Sequence, residues 1–283
     1  MNSTGTTIKT LLGYWTEKAA GAGLQSPEID TESIFSEVLE MPRLELRLQL
    51  TRILSHEEIS AISLLMTRRI SGEPLQYILG KAYFRKLCLV VGPGVLIPRP
   101  ETELIIDIAA PYIKKGMRIA DVGTGSGAIA LAAASEFPDT SVTGIDISQT
   151  ALDRAESNKK ALAIENVSFV KGDLLSGFPE NHFNIILSNP PYVTNAEYDE
   201  LPSEVKDYEP ENALRAGIDG LDIVRRLLND AARVLAKGGV IIIECGAGQS
   251  EALVPLIAKS LFDAPEMLND LTGRFRFVKA SRL

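Results

Sequence analysis

The 283-residue sequence predicts an α/β protein in which a parallel sheet follows a helical N-terminal region. Apolar residues recur at helical spacing up to about residue 72 and then give way to a short alternating stretch. From Met117 onward, strand patterns alternate with helix patterns, which predicts a parallel sheet covered on both faces. Two apolar runs joined by a turn close the chain, so we expect a Rossmann-like sheet with an antiparallel C-terminal hairpin.

Four helices are predicted in the N-terminal region. Ser26-Pro27-Glu28 begins the second, with proline at the first helical position, and residues 43–50 form a shorter third helix. Ser55-His56-Glu57-Glu58 opens the fourth with a capping-box pattern. Gly72-Glu73-Pro74 ends the pattern, and no catalytic constellation is evident before it. We therefore expect residues 1–72 to form a small helical domain that docks the substrate.

Residues 73–95 are expected to form a β-hairpin linker. Its strand candidates run from Tyr77 and Leu79 to Val91, around a turn at Arg85-Lys86. A proline-stiffened loop follows and leads into a helix expected at about 101–113. Its sequence is Leu96-Ile97-Pro98-Arg99-Pro100-Glu101-Thr102-Glu103. Arg99, Glu101 and Glu103 either form a salt-bridge group at the helix start or line a site, and the residues leave both interpretations open.

The third segment, residues 96–283, contains the predicted sheet. Its strands are expected at Arg118–Val122, Val142–Asp146, Val167–Lys171, Phe183–Ser188 and Val240–Cys245. The helices between them are expected at Ala128–Glu136, Gln149–Leu162, Leu221–Leu235 and Ser250–Ser260. The closing hairpin is expected near Ala264–Leu268 and Arg274–Ala280.

Composition argues against several classes of protein. A net charge of -8 and a pI near 5.0 disfavour a broad phosphate-binding surface, so we expect no stable nucleic-acid binding. No apolar run approaches the roughly 20 residues that span a bilayer, so no membrane association is expected. Cys88 and Cys245, without a signal peptide, predict a cytoplasmic protein free of disulfides. His56 and His182 lack metal-ligand spacing, so no metal is expected. Nothing demands more than a monomer.

A glycine-rich loop follows the first strand directly. It reads Gly123-Thr124-Gly125-Ser126-Gly127, with Asp121 before it and a helix pattern after it. Its three glycines let the backbone turn tightly and approach a ligand at the helix N-terminus. The spacing fits both the dinucleotide fingerprint and the S-adenosylmethionine pattern, so the loop alone does not decide between these cofactors.

Polar residues also end the next three strands. Asp146 is placed either to accept hydrogen bonds from ribose hydroxyls or to cap the following helix. Asp173 either binds an adenine amine or is a turn residue.

The fourth strand leads into Asn189-Pro190-Pro191-Tyr192. Its prolines remove donors and hold Asn189 extended, so carbonyl and amide oxygens stand beside an aromatic ring. These groups suit a pocket for an NH2 group. A dehydrogenase does not need such a pocket, and S-adenosylmethionine is therefore favoured.

These strand ends together resemble a class I S-adenosylmethionine-dependent methyltransferase that acts on an amide or amine nitrogen. Within that class, the chain resembles the release factor glutamine methyltransferases over nearly its whole length. The motifs that carry this resemblance are Gly72-Glu73-Pro74, the stretches 96–103 and 123–130, Glu209-Pro210, Ala213-Leu214 and Gly217-Ile218-Asp219-Gly220-Leu221. Residues 96–283 would accordingly be the methyltransferase domain.

The resemblance implies methyl transfer from S-adenosylmethionine to the glutamine side chain in the Gly-Gly-Gln motif of peptide chain release factors, which tunes translation termination. It implies a cofactor site made of Gly123, Thr124, Gly125, Ser126, Gly127, Asp146, Asp173, Leu174 and Asn189. It implies catalytic roles for Asn189, Pro190 and Tyr192 and a glutamine pocket that also includes Pro191.

The chain departs from the family at three places. Leu174 stands where some members carry an aromatic residue, and Ala82-Tyr83-Phe84 stands where many have an acidic residue before the Phe. The closing hairpin from Asp270 to Phe277 follows the family pattern only loosely. We expect none of these departures to touch the chemistry.

Three alternatives stay open. A nucleic-acid base methyltransferase would hold an exocyclic amine of adenine or guanine in the same pocket, although the acidic balance disfavours it. The other two are a dinucleotide-dependent oxidoreductase and a binding module without catalytic activity.

Overall fold

The computed structural model describes residues 5–258, 261–263 and 265–283. The chain divides into two compact units. The helical unit comprises the residues up to Gly80 together with Ser203–Tyr208, and the sheet unit comprises Lys81–Pro202 and Glu209–Leu283. In the part of the chain that the structure describes, no helix is long and apolar enough to cross a membrane.

The helical unit contains the four predicted helices and two short ones. They are α1 (Ile8–Gly21), α2 (Pro27–Val38), α3 (Arg43–Leu48), α4 (His56–Ile70), α5 (Leu75–Leu79) and, further along the chain, α10 (Ser203–Lys206). The predicted capping box at Ser55 and Glu58 is confirmed. Buried apolar side chains of α1, α2, α3 and α4 form the core, among them Ile8, Phe35, Leu46 and Met66.

Buried charges in the helical unit are paired. Arg69 of α4 donates to Asp30 of α2 at 2.7 Å, and both side chains are buried. Arg69 also donates to the Glu73 carbonyl and to Glu204, at 2.9 and 3.1 Å. Removing one partner of such a group would leave an uncompensated buried charge, so this network fixes how α2, α4 and α10 meet.

The sheet unit consists of a two-stranded hairpin and a seven-stranded sheet. The hairpin is β1 (Lys81–Phe84) with β2 (Leu87–Val90), and its strands are antiparallel. The large sheet contains β3 (Arg118–Val122), β4 (Ser141–Asp146), β5 (Val167–Lys171), β6 (Phe183–Ser188), β7 (Leu235–Glu244), β8 (Glu266–Asn269) and β9 (Phe275–Ser281). Its order is β5-β4-β3-β6-β7-β9-β8, in which β9 pairs antiparallel with both of its neighbours. The predicted mostly parallel sheet with an antiparallel C-terminal hairpin is confirmed.

Helices cover both faces of this sheet. They are α6 (Leu104–Ala109), α7 (Ala128–Glu136), α8 (Gln149–Leu162), α11 (Asp222–Val234) and α12 (Ser250–Ala258). The short helix α9 (Asn195–Asp199) follows β6 and belongs to neither core. Alternate residues of β3, β6 and β7 point into two separate cores, one packed by α6 and α7 and the other by α11 and α12. Because both faces are buried, these strands are apolar at nearly every position.

Some predicted elements were wrong in type or extent. Tyr77 and Leu79 lie in α5, a single turn that starts after Pro74 and stops at Gly80 with φ +68°, and not in a strand. The helix predicted at 101–113 is interrupted. It consists of α6 flanked by 3₁₀ turns at Pro100–Glu103 and Ala110–Tyr112, because Pro111 has no N–H to continue the α-helical ladder. Strand β7 begins earlier than predicted, at Leu235.

Two helices of the structure, α9 and α10, were not predicted from the sequence. Lys259, Ser260 and Ala264, which end one predicted element and begin another, lie outside the described residues.

The buried side chain of Asn158 in α8 ties three segments of the sheet unit together. Its Oδ1 accepts from the Val90 N–H at 2.8 Å, and its Nδ2 donates to the carbonyls of Val90 and Ser126 at 3.1 and 2.9 Å. Asn158 is 1% exposed, so water cannot replace these bonds. The hairpin and the glycine-rich loop are therefore both anchored to α8.

Replacing Asn158 with alanine is expected to lower the free energy of unfolding by about 3 kcal/mol, because buried backbone groups lose their partners. Urea denaturation of the purified variant measures this change. Ser157→Ala, at an exposed neighbouring position, is the matched control and is expected to change it by less than about 0.5 kcal/mol. Equal stabilities for the two variants would contradict the anchoring role.

Candidate active site

A cavity of about 320 Å³ lies at the carboxyl edge of the parallel strands, a size common for small-molecule sites. The chain runs from β3 outward to β4 and β5 and then returns to β6 on the other side of β3. Ligands of open α/β sheets bind where the strand order reverses in this way. The predicted site residues that line the cavity are Gly123, Gly125, Asp146, Asp173, Leu174, Asn189 and Pro191.

The glycine-rich loop reaches the cavity with bare backbone. Gly123 and Gly125 have φ values of +78° and +55°, which residues with a side chain rarely adopt. Asp121 anchors the loop, since its Oδ2 accepts from the Thr124 hydroxyl at 2.6 Å and from the Ala130 N–H at 3.0 Å. The loop is thereby fixed against the first turn of α7.

Three predicted cofactor residues in the loop do not line the cavity. The side chains of Thr124 and Ser126 are buried, and Thr124 bonds to Asp121. A Cβ on Gly127 would lie 3.0–3.1 Å from side-chain atoms of Leu131, Ala155 and Phe169. These three residues do not face the cavity and instead hold the loop in place.

Asp146 lines the cavity and does not cap the following helix, because the N-cap of α8 is Ser148. Its Oδ2 accepts from the Gly125 N–H and its Oδ1 from the Ser148 N–H, each at 2.9 Å. A carboxylate has about four lone-pair positions, so two acceptor positions stay available to a ligand. The carboxylate is held rigidly at the end of β4.

Asp173 and Leu174 form another wall of the cavity. Asp173 Oδ2 accepts from Arg226 Nη2 at 2.6 Å, and both side chains are about half exposed. Leu174 adopts φ +52°, which is unusual for a residue with a branched side chain. Arg226 also lines the cavity, and the sequence gave no reason to expect it.

Asn189 follows β6 and makes a contact that fixes its side chain. Its Nδ2 donates to the Thr102 hydroxyl at 3.1 Å, and no donor among the described residues bonds to its Oδ1. Pro191 lines the cavity, whereas Pro190 is buried and Tyr192 is partly buried, outside the lining. The Asn189 amide nitrogen is therefore bonded to Thr102, and its Oδ1 is available to a ligand.

Tyr192 is held by two residues from distant parts of the chain. Its carbonyl accepts from Gln249 Nε2 at 2.8 Å, and its hydroxyl accepts from Arg276 Nη2 at 3.4 Å. The Arg276 guanidinium lies 5.5 Å from the ring centroid. Because Arg276 lies in β9, the closing hairpin contacts a residue of the predicted glutamine pocket.

A group of charged and polar side chains, which we call the Glu244 cluster, lies beside Asn189 and Tyr192. It consists of Glu101, Thr102, Glu244 and Arg276. Arg276 Nη2 lies 3.4 Å from Glu101 Oε1 and 3.8 Å from Glu244 Oε1. The Glu244 side chain is fully buried, and burial raises its pKa to about 7 despite the opposing effects of the Thr102 hydroxyl and of Arg276. Burial, and then the charge of Glu244, raises the pKa of the Tyr192 hydroxyl, which stays neutral.

The open question about Arg99, Glu101 and Glu103 has a different answer for each residue. Arg99 pairs with buried Glu209 at 2.5 Å, and Glu209 also accepts from the Ile97 N–H at 3.1 Å, so Arg99 anchors its loop. Glu101 belongs to the Glu244 cluster. The Glu103 carbonyl accepts from Arg85 at 3.2 Å, a structural contact.

Sequence reasoning missed Thr102, Glu244, Gln249 and Arg276. Glu244 had a usable signal, since it is a charge that ends the apolar run Val240–Ile243 at the carboxyl edge of a strand. Thr102 stood within a motif, but no pattern indicated that it meets Asn189, 87 positions away. Gln249 and Arg276 offered no local signal.

Family models match two parts of the chain. A model described as a methyltransferase domain matches residues 113–272, and one described as the PrmC N-terminal domain matches residues 10–80. The ribosomal protein L11 methylase of Lactobacillus delbrueckii subsp. bulgaricus has a similar fold. It is 21% identical with a TM-score of 0.51, and the match covers 70% of this chain and 95% of that one. A 16S rRNA N2 G1207 methyltransferase of T. thermophilus matches with a TM-score of 0.54 and 19% identity, over 72% of this chain and 50% of that one. The fold is thus that of a class I methyltransferase.

Sequence relatives show to which family of class I methyltransferases the chain belongs. The release factor glutamine methyltransferase of Thermodesulfovibrio yellowstonii is 39% identical over 86% of this chain and 88% of its own length. The enzyme of the same name from Rhodopirellula baltica is 36% identical over 99% of this chain and 98% of its own. The chain belongs to the release factor glutamine methyltransferase family.

The two buried carboxyls at the site predict an unusual pH dependence of stability. Burial raises the pKa of both Asp121 and Glu244 to about 7, from ordinary values of 3.8 and 4.5. A carboxyl whose pKa is higher in the folded state takes up a proton on folding, so protonation stabilises the fold. The melting temperature is expected to rise by a few degrees as the pH falls from about 8 to about 5.5.

Differential scanning calorimetry of the wild type and of Glu244→Gln tests this prediction. The variant lacks one of the two carboxyls and is expected to show a smaller rise. Glu165→Gln, at an exposed position, is expected to behave like the wild type. A melting temperature that falls steadily over the same pH range in all three proteins would contradict it.

Proposed function

We propose that this protein transfers the methyl group of S-adenosylmethionine to the side-chain amide nitrogen of the glutamine in the Gly-Gly-Gln motif of peptide chain release factors. The observation that carries this proposal is the Asn189 amide at the edge of the cavity, with its NH2 engaged by Thr102 and its oxygen available. Membership of the family supplies the substrate class.

The cavity has the features that S-adenosylmethionine requires. Gly123 and Gly125 present backbone without side chains, which leaves room for the amino-acid end of the cofactor. Asp146 retains acceptor positions for ribose hydroxyls. Leu174 and Val95 provide apolar surface for an adenine ring. When bound, the cofactor supplies an electrophilic methyl group on a positively charged sulfur.

The residues after β6 would orient the acceptor nitrogen. An amide nitrogen is a poor nucleophile because its lone pair is delocalised into the carbonyl group, so its alignment matters. Asn189 Oδ1 and the Pro190 carbonyl would accept the two amide hydrogens and stabilise the positive charge that develops on nitrogen. Pro191 and the Tyr192 ring would complete the pocket and exclude water. The methylated nitrogen then loses its extra proton to water without a strong base.

The nucleic-acid base methyltransferase is not favoured. The same pocket suits an exocyclic amine, but the net charge of -8 does not provide a broad phosphate-binding surface. A release factor as substrate places the reaction where translation occurs, in the cytoplasm. We propose that the protein acts there as a monomer.

Asp146→Ala is expected to weaken S-adenosylmethionine binding by about tenfold to a hundredfold, because a charge-assisted hydrogen bond contributes roughly 1.5–3 kcal/mol. Isothermal titration calorimetry of the folded variant measures the affinity. Asp153→Ala, at an exposed position on α8, is the control and is expected to bind like the wild type. Unchanged affinity in Asp146→Ala, or binding of NAD by the wild type, would contradict the proposed cofactor site.

Methyl transfer from labelled S-adenosylmethionine to a purified release factor tests the reaction itself. Label is expected in the release factor and not in the same factor with its motif glutamine replaced. Asn189→Ala is expected to lower kcat by about a hundredfold or more, because the acceptor loses its orienting oxygen. Exposed Asn229→Ala is the matched control.

Two outcomes would overturn this assignment. Label in the release factor that lacks the motif glutamine would show that the methyl group is transferred to another residue of the substrate. Label in ribosomal RNA, with none in either factor, would promote the nucleic-acid alternative.

A further inference from the structure

Tyr192 is the last residue of the stretch that follows β6, and side chains from distant segments hold it. The two prolines before it have no N–H, so they donate no main-chain hydrogen bonds that would fix this part of the chain. Gln249 binds Tyr192 at its carbonyl and Arg276 binds it at its hydroxyl. The position of the ring therefore depends on contacts with the residue before α12 and with β9.

The side-chain amide of Gln249 joins three segments through hydrogen bonds. Its Nε2 donates to the Tyr192 carbonyl at 2.8 Å and to the Asp219 carbonyl at 3.4 Å. Its Oε1 accepts from the Gly246 N–H at 2.9 Å. A carboxamide carries two donor hydrogens and one acceptor oxygen, so each of its groups is used here. Gln249 therefore connects the backbone of Tyr192 to the loop before α11 and to the turn after β7.

Two glycines leave the space that this arrangement occupies. A Cβ on Gly220 would lie 2.3 Å from both Gln249 Nε2 and the Tyr192 carbonyl oxygen. A Cβ on Gly246 would lie 2.8 Å from Gln249 Oε1 and 3.2 Å from Tyr192 Cδ2. Gly220 belongs to the motif Gly217-Ile218-Asp219-Gly220-Leu221, for which the cofactor and the acceptor nitrogen gave no role. The contact between Gln249 and Tyr192 provides a reason for glycine at this position of the motif.

Arg276 holds the other end of Tyr192. Its Nη2 donates to the Tyr192 hydroxyl at 3.4 Å, and its guanidinium lies 5.5 Å from the ring centroid, within the range of a cation–π contact. Arg276 is itself held by two carboxylates, Glu101 at 3.4 Å and Glu244 at 3.8 Å. The side chain of Arg276 is only 13% exposed, so its guanidinium has little freedom to move away from the ring.

We propose that Gln249 and Arg276 are positioning residues that hold the Tyr192 ring as a fixed wall of the glutamine pocket. This inference rests on the proposed function. We call Gly220, Gly246, Gln249 and Arg276 the Tyr192 clamp. Neither Gln249 nor Arg276 lines the cofactor cavity, so the clamp acts on the acceptor and not on S-adenosylmethionine. An amide nitrogen must be aligned with the methyl group, and a misplacement of about 1 Å can cost about a hundredfold in rate.

Gln249→Glu tests the hydrogen bond to the Tyr192 carbonyl. The substitution keeps the size of the side chain and the acceptor for Gly246, but it removes the Nε2 donor. We expect kcat to fall about tenfold to a hundredfold, with KM for the release factor and the affinity for S-adenosylmethionine within about threefold of the wild type. Asn229→Asp makes the same change of chemical group at an exposed position and is expected to behave like the wild type.

Gly220→Ala and Gly238→Ala separate the clamp from backbone strain. The two glycines have nearly the same φ, +73° and +71°, so an alanine costs similar strain at either position. A Cβ on Gly238 would meet nothing within 4 Å, whereas one on Gly220 would displace Gln249 or Tyr192. At a temperature where both variants are folded, we expect kcat to fall at least about tenfold in Gly220→Ala and to stay within about threefold of the wild type in Gly238→Ala.

The ring resonances of Tyr192 provide a readout that needs no release factor. In protein labelled with ¹³C in its tyrosine rings, these signals are identified by their absence in Tyr192→Phe. We expect them to shift in Gln249→Glu and Gly220→Ala and to keep their wild-type positions in the two control variants. Arg276→Lys keeps the charge beside the two carboxylates but shortens the reach to the hydroxyl, and it is expected to shift them as well.

The ring signals also separate this inference from the proposed function. If the wild type transfers no methyl group to a release factor, the proposed function fails, and the ring signals still decide whether the clamp holds Tyr192. Unchanged ring signals in both Gln249→Glu and Gly220→Ala would overturn the inference. Wild-type kcat in both variants, with an active wild type, would overturn it as well.

Discussion

The pairing of β3 with β6 is the interaction on which the site depends. These strands are far apart in sequence, yet Val122 and Ser188 are register partners, and the Ser188 hydroxyl donates to the Val122 carbonyl at 2.7 Å. The residues that follow, Gly123 and Asn189, are therefore brought together. A Cβ on Gly123 would lie 3.9 Å from the Asn189 carbonyl oxygen. A slip of one residue in this register would turn Asn189 away from the cavity.

Polar groups buried behind the site hold it in shape at some cost in stability. Asp121 fastens the glycine-rich loop and Asn158 fastens the loop to the hairpin, each through contacts to backbone or hydroxyl groups. Glu244 differs because neither of its oxygens makes an ordinary hydrogen bond within the described part of the chain. A fold selected for stability alone would place a neutral side chain there.

Sequence reasoning predicted the sheet because its signals are local. Apolar runs such as Phe183–Ser188, and the glycine-rich loop, predict the same local structure whatever the rest of the chain does. The same holds for Asn189 and its two prolines, whose backbone restrictions follow from covalent structure. The type of a five-residue segment such as Leu75–Leu79 was beyond this reasoning, because one helical turn and a short strand bury apolar residues equally well.

The contacts that surround Asn189 could not be predicted because they join distant segments. Thr102 precedes α6, Glu244 ends β7 and Arg276 lies in β9, so their meeting requires the strand order β3-β6-β7-β9. No periodic pattern in the sequence predicts that strand order. The resemblance to a family indicated which residues matter near the substrate, but it did not indicate which partners hold them.

The position of the Asn189 side chain follows from how these segments meet. Asn189 directly follows β6, and Thr102, in the 3₁₀ turn before α6, accepts from Asn189 Nδ2 at 3.1 Å. A hydrogen bond to a side chain from another segment restricts the rotation of the amide, so its Oδ1 stays at the edge of the cavity. The site therefore depends on the packing of the turn before α6 as well as on the pairing of β3 with β6.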